Sequence, residues 1–334
     1  MLPSFIVRFR PTGPWRFGPD SGSREQVDPL LHSDAVYSAV ASAMGQLGML
    51  EDWLAATARN QSGVSPVRFT SLFPFQRDTL FVIPPRSVWP PPPSMKLRYK
   101  SARFIPLTLV DALLQDKPVD EDRWQVDGDS SCLIPNGWHD GPFRVGLRSS
   151  AAVDRLEQGR VGVHTTACLE FTRDAGLWLA VVFADEAAQE KWEDPVRSAF
   201  RLLADSGIGG ERSRGWGRAA QPRWEKSTVL AFDHSEPAPD LAYWLLSVYA
   251  AADSDSVDWK RGNYATVTRT GRTESLAGWG QPKAATLMLA EGSVVFAEHE
   301  PVGAVRDVAP AGFAHPVYRA GFAVAVRIPW RVAQ

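Results

Sequence analysis

Cysteine is almost absent from this sequence: Cys132 and Cys168 are the only two. They carry no metal-binding spacing and no secretory context, so two reduced thiols of a cytoplasmic protein are expected, with a core built without disulfides. Long apolar runs are missing as well. No stretch approaches the ~18 consecutive apolar residues of a membrane span. The first ten residues contain Arg8 and Arg10 and no long apolar run, so a signal peptide is not expected. An excess of one charge is also missing, since 36 Lys and Arg against 38 Asp and Glu leave a net charge of −2. The resulting pI near 6.3 argues against a free-standing nucleic-acid binder, which is usually strongly basic. Clusters of Asp and Glu with metal-site spacing are absent, and no catalytic metal or cofactor is expected.

What remains is ordinary globular material. The 334 residues are 44% hydrophobic and 22% charged, enough for about two domains of ~150 residues. The charge is unevenly distributed: Lys96, Arg98, Lys100 and Arg103 form an acid-free run and Arg212 to Lys226 is a second basic segment, while Asp185 to Asp194 is acidic. One basic face for RNA with other faces for protein neighbours would give this pattern, and so would a set of solvated faces.

The most distinctive stretch runs from Gly207 to Arg218. Gly207, Gly209, Gly210, Gly215 and Gly217 permit positive φ and close approach of backbone N–H groups to a ligand. Arg212, Arg214 and Arg218 among them favour an anion. Asp194-Pro195 reads as the start of a preceding helix, ended by Gly207, and Trp216 to Lys226 reads as a following strand. That order, helix then loop then strand, is opposite to a dinucleotide-binding glycine motif, and the Gly-Lys-Ser/Thr of a P-loop is missing. A glycine-rich surface turn with solvated arginines is the plain alternative.

Along the chain, Phe5–Arg10 reads as a strand and 11–27 as a loop. Ser33 reads as the N-cap of a helix to about Ala58, with Asp34 at its positive end. Phe69–Phe75 and Leu80–Ile83 are strand candidates, and Pro84–Pro93 forbids regular structure. His164–Phe171 and Leu177–Phe183 read as a hairpin turning at 173–176. Residues 233–240 read as a linker, 284–296 as a hairpin turning at Glu291-Gly292, and 318–328 as a final strand. Strand, loop, long helix, strands, helix and strand are the parts of a βαββαβ unit.

Several stretches together resemble a known family. The glycine loop after a helix resembles that of the RAMP superfamily of CRISPR proteins. Leu31-His32-Ser33-Asp34, Phe73-Pro74-Phe75, 96–107, Leu147-Arg148 with Asp154-Arg155, Glu291-Gly292-Ser293 and His315-Pro316-Val317-Tyr318-Arg319 are similar, in order and spacing, to the fourth-subunit Csm family of type III-A effector complexes. The resemblance implies an α+β protein of two ferredoxin-like (RRM-like) units. The first unit would occupy 1–232, with a large insertion at about 84–147 and the glycine-rich loop at 207–218, and a second, smaller one would occupy 233–334. It implies a non-catalytic subunit that binds the repeat-derived 5′ handle of a guide RNA. Its partners would be the large polymerase-type subunit and a backbone RAMP subunit, with target RNA nearby and no membrane.

On this reading Gly207, Gly209, Gly210, Arg212, Ser213, Arg214, Gly215, Trp216, Gly217 and Arg218 contact RNA, by backbone N–H and guanidinium contacts to phosphates. Trp216 either stacks on a base or belongs to the core. Lys96 and Lys100 would meet RNA from the insertion, and Arg148 and Arg155 would face the handle, unless Arg155 pairs with Asp154. Arg269 is a further candidate, although Arg269-Thr270-Gly271-Arg272 matches the family's second glycine loop only modestly. His32 and Ser33 are placed at the site. RAMP ribonucleases often use a histidine near the first helix as general acid or base, so a precursor-processing endoribonuclease acting through His32 is a rival reading. A Cas5-type subunit of a DNA-targeting complex is another.

Overall fold

The structure is a computed structural model. It describes residues 2–19, 22–60, 63–89, 99–153, 161–226, 241–275 and 278–330, so Lys96, Arg155 and the 233–240 linker lie outside the described residues. The first half is built on one antiparallel sheet. Its order is Arg223–Lys226, Ser4–Phe9, Ala175–Phe183, Phe73–Gln76, Thr79–Val82 and Ile105–Pro106, with Val67–Phe69 also paired to Ala175–Phe183. All nine residues of Ala175–Phe183 are buried, which is why that strand reads as a near-continuous apolar run rather than an alternating one.

Helices Ser33–Gln46 and Glu186–Ser206 pack together on one face of this sheet. Phe200 anchors the second of them, its ring meeting Phe9, Phe69 and Trp224 from three strands at centroid separations of 5.5, 5.8 and 6.0 Å. The helix begins earlier than Asp194-Pro195 suggests. Asp185 caps it, its carboxylate accepting the Ala188 N–H at 2.7 Å, and Pro195 sits inside. Proline at a helix start and proline within a helix look alike in sequence, and here a Glu193–Arg197 ion pair at 2.7 Å spans the missing N–H. The first helix also differs from expectation. It breaks at 47–49 into Ser33–Gln46 and Leu50–Thr57, and its N-cap residue is His32 rather than Ser33.

Strand pairing corrects two expected hairpins. Val161–Phe171 pairs with Phe143–Val153 along its whole length, not with Ala175–Phe183. The chain does turn at Asp174 (φ 63°), but both edges of Ala175–Phe183 are already occupied, by Ser4–Phe9 on one side and by 67–69 and 73–76 on the other. Likewise Thr286–Leu289 pairs with Thr266–Arg269, whereas Val294–Phe296 joins Leu241–Leu245, which is flanked on its far side by Ala325–Pro329. The final apolar stretch is two strands, Tyr318–Phe322 and Ala325–Pro329. Among the described residues of 241–330 there is no α-helix, only the short turn Asp253–Asp255, so the helices of a second βαββαβ unit are not found there.

One apolar cluster runs through both halves, joining Trp53, Phe69 and Phe200 to Trp244, Phe296, Phe322 and Ile328. Tyr37 of the first helix packs edge-on against Phe322 at 5.8 Å. Among the described residues, no helix is long and apolar enough to cross a membrane.

Candidate nucleic-acid interface

The glycine loop is locked by its own backbone. Gly207 N–H closes the preceding helix on the Leu203 carbonyl at 2.8 Å, and Ile208 N–H reaches the Gly217 carbonyl at 3.0 Å. Gly217 has φ 79°, and a Cβ there would lie 2.2 Å from the Ile208 carbonyl oxygen, so only glycine fits. A Cβ on Gly209 would lie 2.3 Å from the Arg16 carbonyl oxygen. That same carbonyl accepts the Gly210 N–H at 2.8 Å. The Gly210 N–H is therefore engaged within the protein rather than held out for a phosphate, which corrects the expectation for that group. Trp216 is half-buried and follows the short 3-10 turn Arg212–Arg214; the strand starts only at Arg223.

Arg16, in the loop between Ser4–Phe9 and the first helix, is the post this arrangement leans on. Its buried guanidinium donates to the carbonyls of Ser23, Gln26 and Ala167 at 2.7, 3.0 and 2.8 Å, with Arg24 at 3.1 Å. It thereby ties the 11–27 loop and the strand Val161–Phe171 to the glycine loop.

The loop forms one wall of a cleft of ≈ 820 Å³. The first helix supplies a second wall through Asp34, Ala35 and Ser38, and the second half supplies a third through 269–274, Lys283 and 315–319. Of the expected residues, the structure brings Gly209, Arg212 and Arg269 to this cleft. Gly207 and Gly217 are buried beneath it, and Ser213, Arg214 and Arg218 are exposed beside it. Arg212 is ion-paired with Glu274 across the cleft. Arg214 pairs with Glu211 at 3.2 Å and donates to the Ser150 hydroxyl at 3.3 Å, which sets the long antiparallel pair of strands Phe143–Val153 and Val161–Phe171 beside the loop.

Three cationic residues and a histidine line the cleft that the sequence expectations did not name as ligands: Arg59, Lys283, Arg319 and His315. Two of them stand in the His315–Arg319 stretch, where the family resemblance was the available signal. Burial, and then the Arg319 guanidinium, hold the Lys283 ammonium below the ordinary lysine value, with Asp34 and Glu274 opposing.

His32 and Ser33 face inward, which corrects their expected place among RNA contacts. His32 Nδ1 is 2.8 Å from Glu291 Oε1, and Nε2 is 3.4 Å from Asp28. Burial lowers the imidazolium's pKa, but Glu291, by charge and hydrogen bond, and Asp28 outweigh it and raise it to about 9. Glu291 is itself buried, accepts from Ser71 Oγ, and stays below the usual carboxylate range: burial pushes it up, but His32 overcomes this. The Ser33 hydroxyl accepts the Val248 N–H at 3.1 Å. A histidine held charged, buried and engaged at both ring nitrogens is poorly placed to exchange protons with a substrate. Arg269 is mostly buried too, donating from Nε to both oxygens of Asp34 at 3.1 and 3.2 Å, with Arg319 Nε 3.8 Å from the same carboxylate. These motifs tie the two halves together.

Lys100 and Arg148 do not line the cleft. Lys100 is exposed. Arg148 is exposed on the strand Phe143–Val153 and paired with Glu170, near Asp127, Asp129 and Asp140, a setting rich in carboxylates. Among the described residues, no group of three or more His, Cys, Asp or Glu is arranged to hold a metal ion.

Residues 239–328 match the family described as the CRISPR Csm4 C-terminal domain. A chain in the crystal structure of a Csm3–Csm4 subcomplex of the type III-A CRISPR–Cas interference complex superposes with TM-score 0.66 at 16% identity, covering 98% of this chain and 99% of that one. A chain of the Csm1–Csm4 cassette in complex with cA4 gives 0.61 at 15%, covering 99% and 100%. The chain resembles Csm4. At these identities the superpositions carry the fold, which extends over nearly the whole of this chain and of its structural relatives. The matched C-terminal segment contributes Arg269, Lys283, Glu291 and Arg319, the second-half side of both the cleft and the ties beneath it. No curated protein matches the chain in sequence.

Proposed function

We propose that this chain is the Csm4-type subunit of a type III-A CRISPR effector ribonucleoprotein. It acts without catalysis in the cytoplasm, gripping the repeat-derived 5′ handle of the guide RNA in the cleft. It docks the large polymerase-type subunit and a backbone RAMP subunit, with target RNA passing nearby. The observation that carries the reading is the cleft itself, where the glycine loop, the turn after Leu50–Thr57 and the Csm4-like C-terminal segment bring Arg212, Arg59 and Lys283 to one concave surface. Cations in a groove, together with glycine-rich backbone, suit single-stranded RNA held chiefly through its phosphates. The complexes of the structural relatives, Csm3 with Csm4 and Csm1 with Csm4, support the two protein partners. Residues 1–232 form the ferredoxin-like unit in this reading, with the insertion at about 84–147. Its sheet order, with Ser4–Phe9 and Ala175–Phe183 central and Arg223–Lys226 at one edge, supports that assignment. Residues 233–334 form the second unit.

The test is incubation of the purified chain with labelled repeat-derived RNA in the absence of metal. Salt-sensitive binding of RNA that stays intact is expected. Cleaved RNA would overturn the proposal in favour of a ribonuclease.

A further inference from the structure

The cations around the cleft already hold carboxylates, and those carboxylates fall into two kinds. Asp34, which holds Arg269 and Arg319, is buried, with 6% of its side chain exposed. It is part of the frame. Glu274, which holds Arg212, is half exposed at 50%, and Arg212 itself is 36% exposed. Glu274 also lies within electrostatic reach of Lys283, whose ammonium it favours. It stands on the short strand Arg272–Ser275, which among the described residues pairs with Gly278–Pro282 alone, at a register irregularity. Its carboxylate thus covers a cleft cation where an anionic ligand would sit, on a narrow ribbon and not in a packed core.

From this we infer that Glu274 is a displaceable stand-in for an RNA phosphate, a carboxylate gate that a ligand must move aside to reach Arg212. The inference rests on the RNA-binding reading of the cleft. An exposed ion pair stabilises weakly and is screened by salt, so a phosphate, with more charge and more acceptor oxygens, can replace it. A weakly anionic surface cannot, and the gate therefore makes the empty cleft selective for phosphate.

Binding of labelled single-stranded repeat RNA to the full chain would be measured for wild type, Glu274→Gln, Arg212→Ala and the double variant at ~0.1 M salt. Glu274→Gln should bind roughly fivefold tighter, the factor that corresponds to the upper end of an exposed ion pair. The gain should vanish in the Arg212→Ala background, because the two side chains form one interacting pair. If wild type binds and Arg212→Ala weakens it while Glu274→Gln changes nothing, the gate is wrong and the RNA-binding reading stands. Weaker binding by Glu274→Gln would make Glu274 a positioning residue for Arg212 and overturn the gate as well. If none of the four proteins binds, the gate falls together with the reading it rests on. Glu274 lies on the surface, so circular dichroism of the variant should match wild type.

Discussion

At the scale of single residues, His32, Ser33 and Asp34 are ties between the two halves, reaching Glu291, Val248 and Arg269 in turn. Removing one partner of a buried ion pair leaves the other uncompensated, a loss of about 3 kcal/mol or more. His32→Ala should therefore lower the urea midpoint markedly, whereas an unchanged midpoint would mean that the tie contributes nothing. The pH dependence follows from the same pair. The His32 pKa is raised from 6.5 to about 9 in the folded protein, so the folded state binds the proton more tightly. The stabilisation is fully present below pH 6.5 and is lost as pH rises through about 9. Denaturation of wild type across that window should show this loss, and His32→Gln should show a flatter profile. These roles were only half legible in the sequence. The stretch 31–34 announces a helix start, but the partner of His32 lies 259 residues away, and no local pattern encodes a distant carboxylate. The arginines of the glycine loop were legible, but Glu274, 62 residues beyond Arg212, was not.

At the scale of elements, the glycine loop is where sequence and structure agree best in place and least in detail. Its position after a helix is as read. Its glycines, however, serve loop closure as much as ligand approach, since Gly217 meets Ile208 and Gly209 meets Arg16. Gly217→Ala should be distinctly more damaging than Gly215→Ala. Both have positive φ, but a Cβ on Gly215 has nothing within 4 Å, whereas one on Gly217 meets backbone. About 1–2 kcal/mol is expected for Gly215→Ala from conformation alone, with a larger loss of stability for Gly217→Ala in thermal melts. Equal losses would contradict the account of loop closure. Strands with strong apolar character, such as Ser4–Phe9 and Ala175–Phe183, were legible because burial writes itself into composition. Their partners were not. A turn signal at 173–176 says that the chain reverses, but not that both edges of the next strand are already taken.

At the scale of the whole molecule, the apolar cluster crosses between the halves, and the ion pairs at His32–Glu291 and Asp34–Arg269 lie over the same seam. The halves should therefore melt together. Calorimetry is expected to show one transition, and two well-separated transitions would contradict a shared core. The same seam shapes the cleft, so integrity of the fold and presentation of the cations are coupled.

On the proposed reading, the cleft holds RNA by its phosphates through Arg212, and the salt dependence of handle-RNA binding reports on those contacts. Each lost phosphate contact lowers the slope of log K against log salt by about 0.7 for single-stranded RNA. Arg212→Ala should bind more weakly than wild type and with a slope shallower by about that amount. A slope identical to wild type would remove Arg212 from the interface.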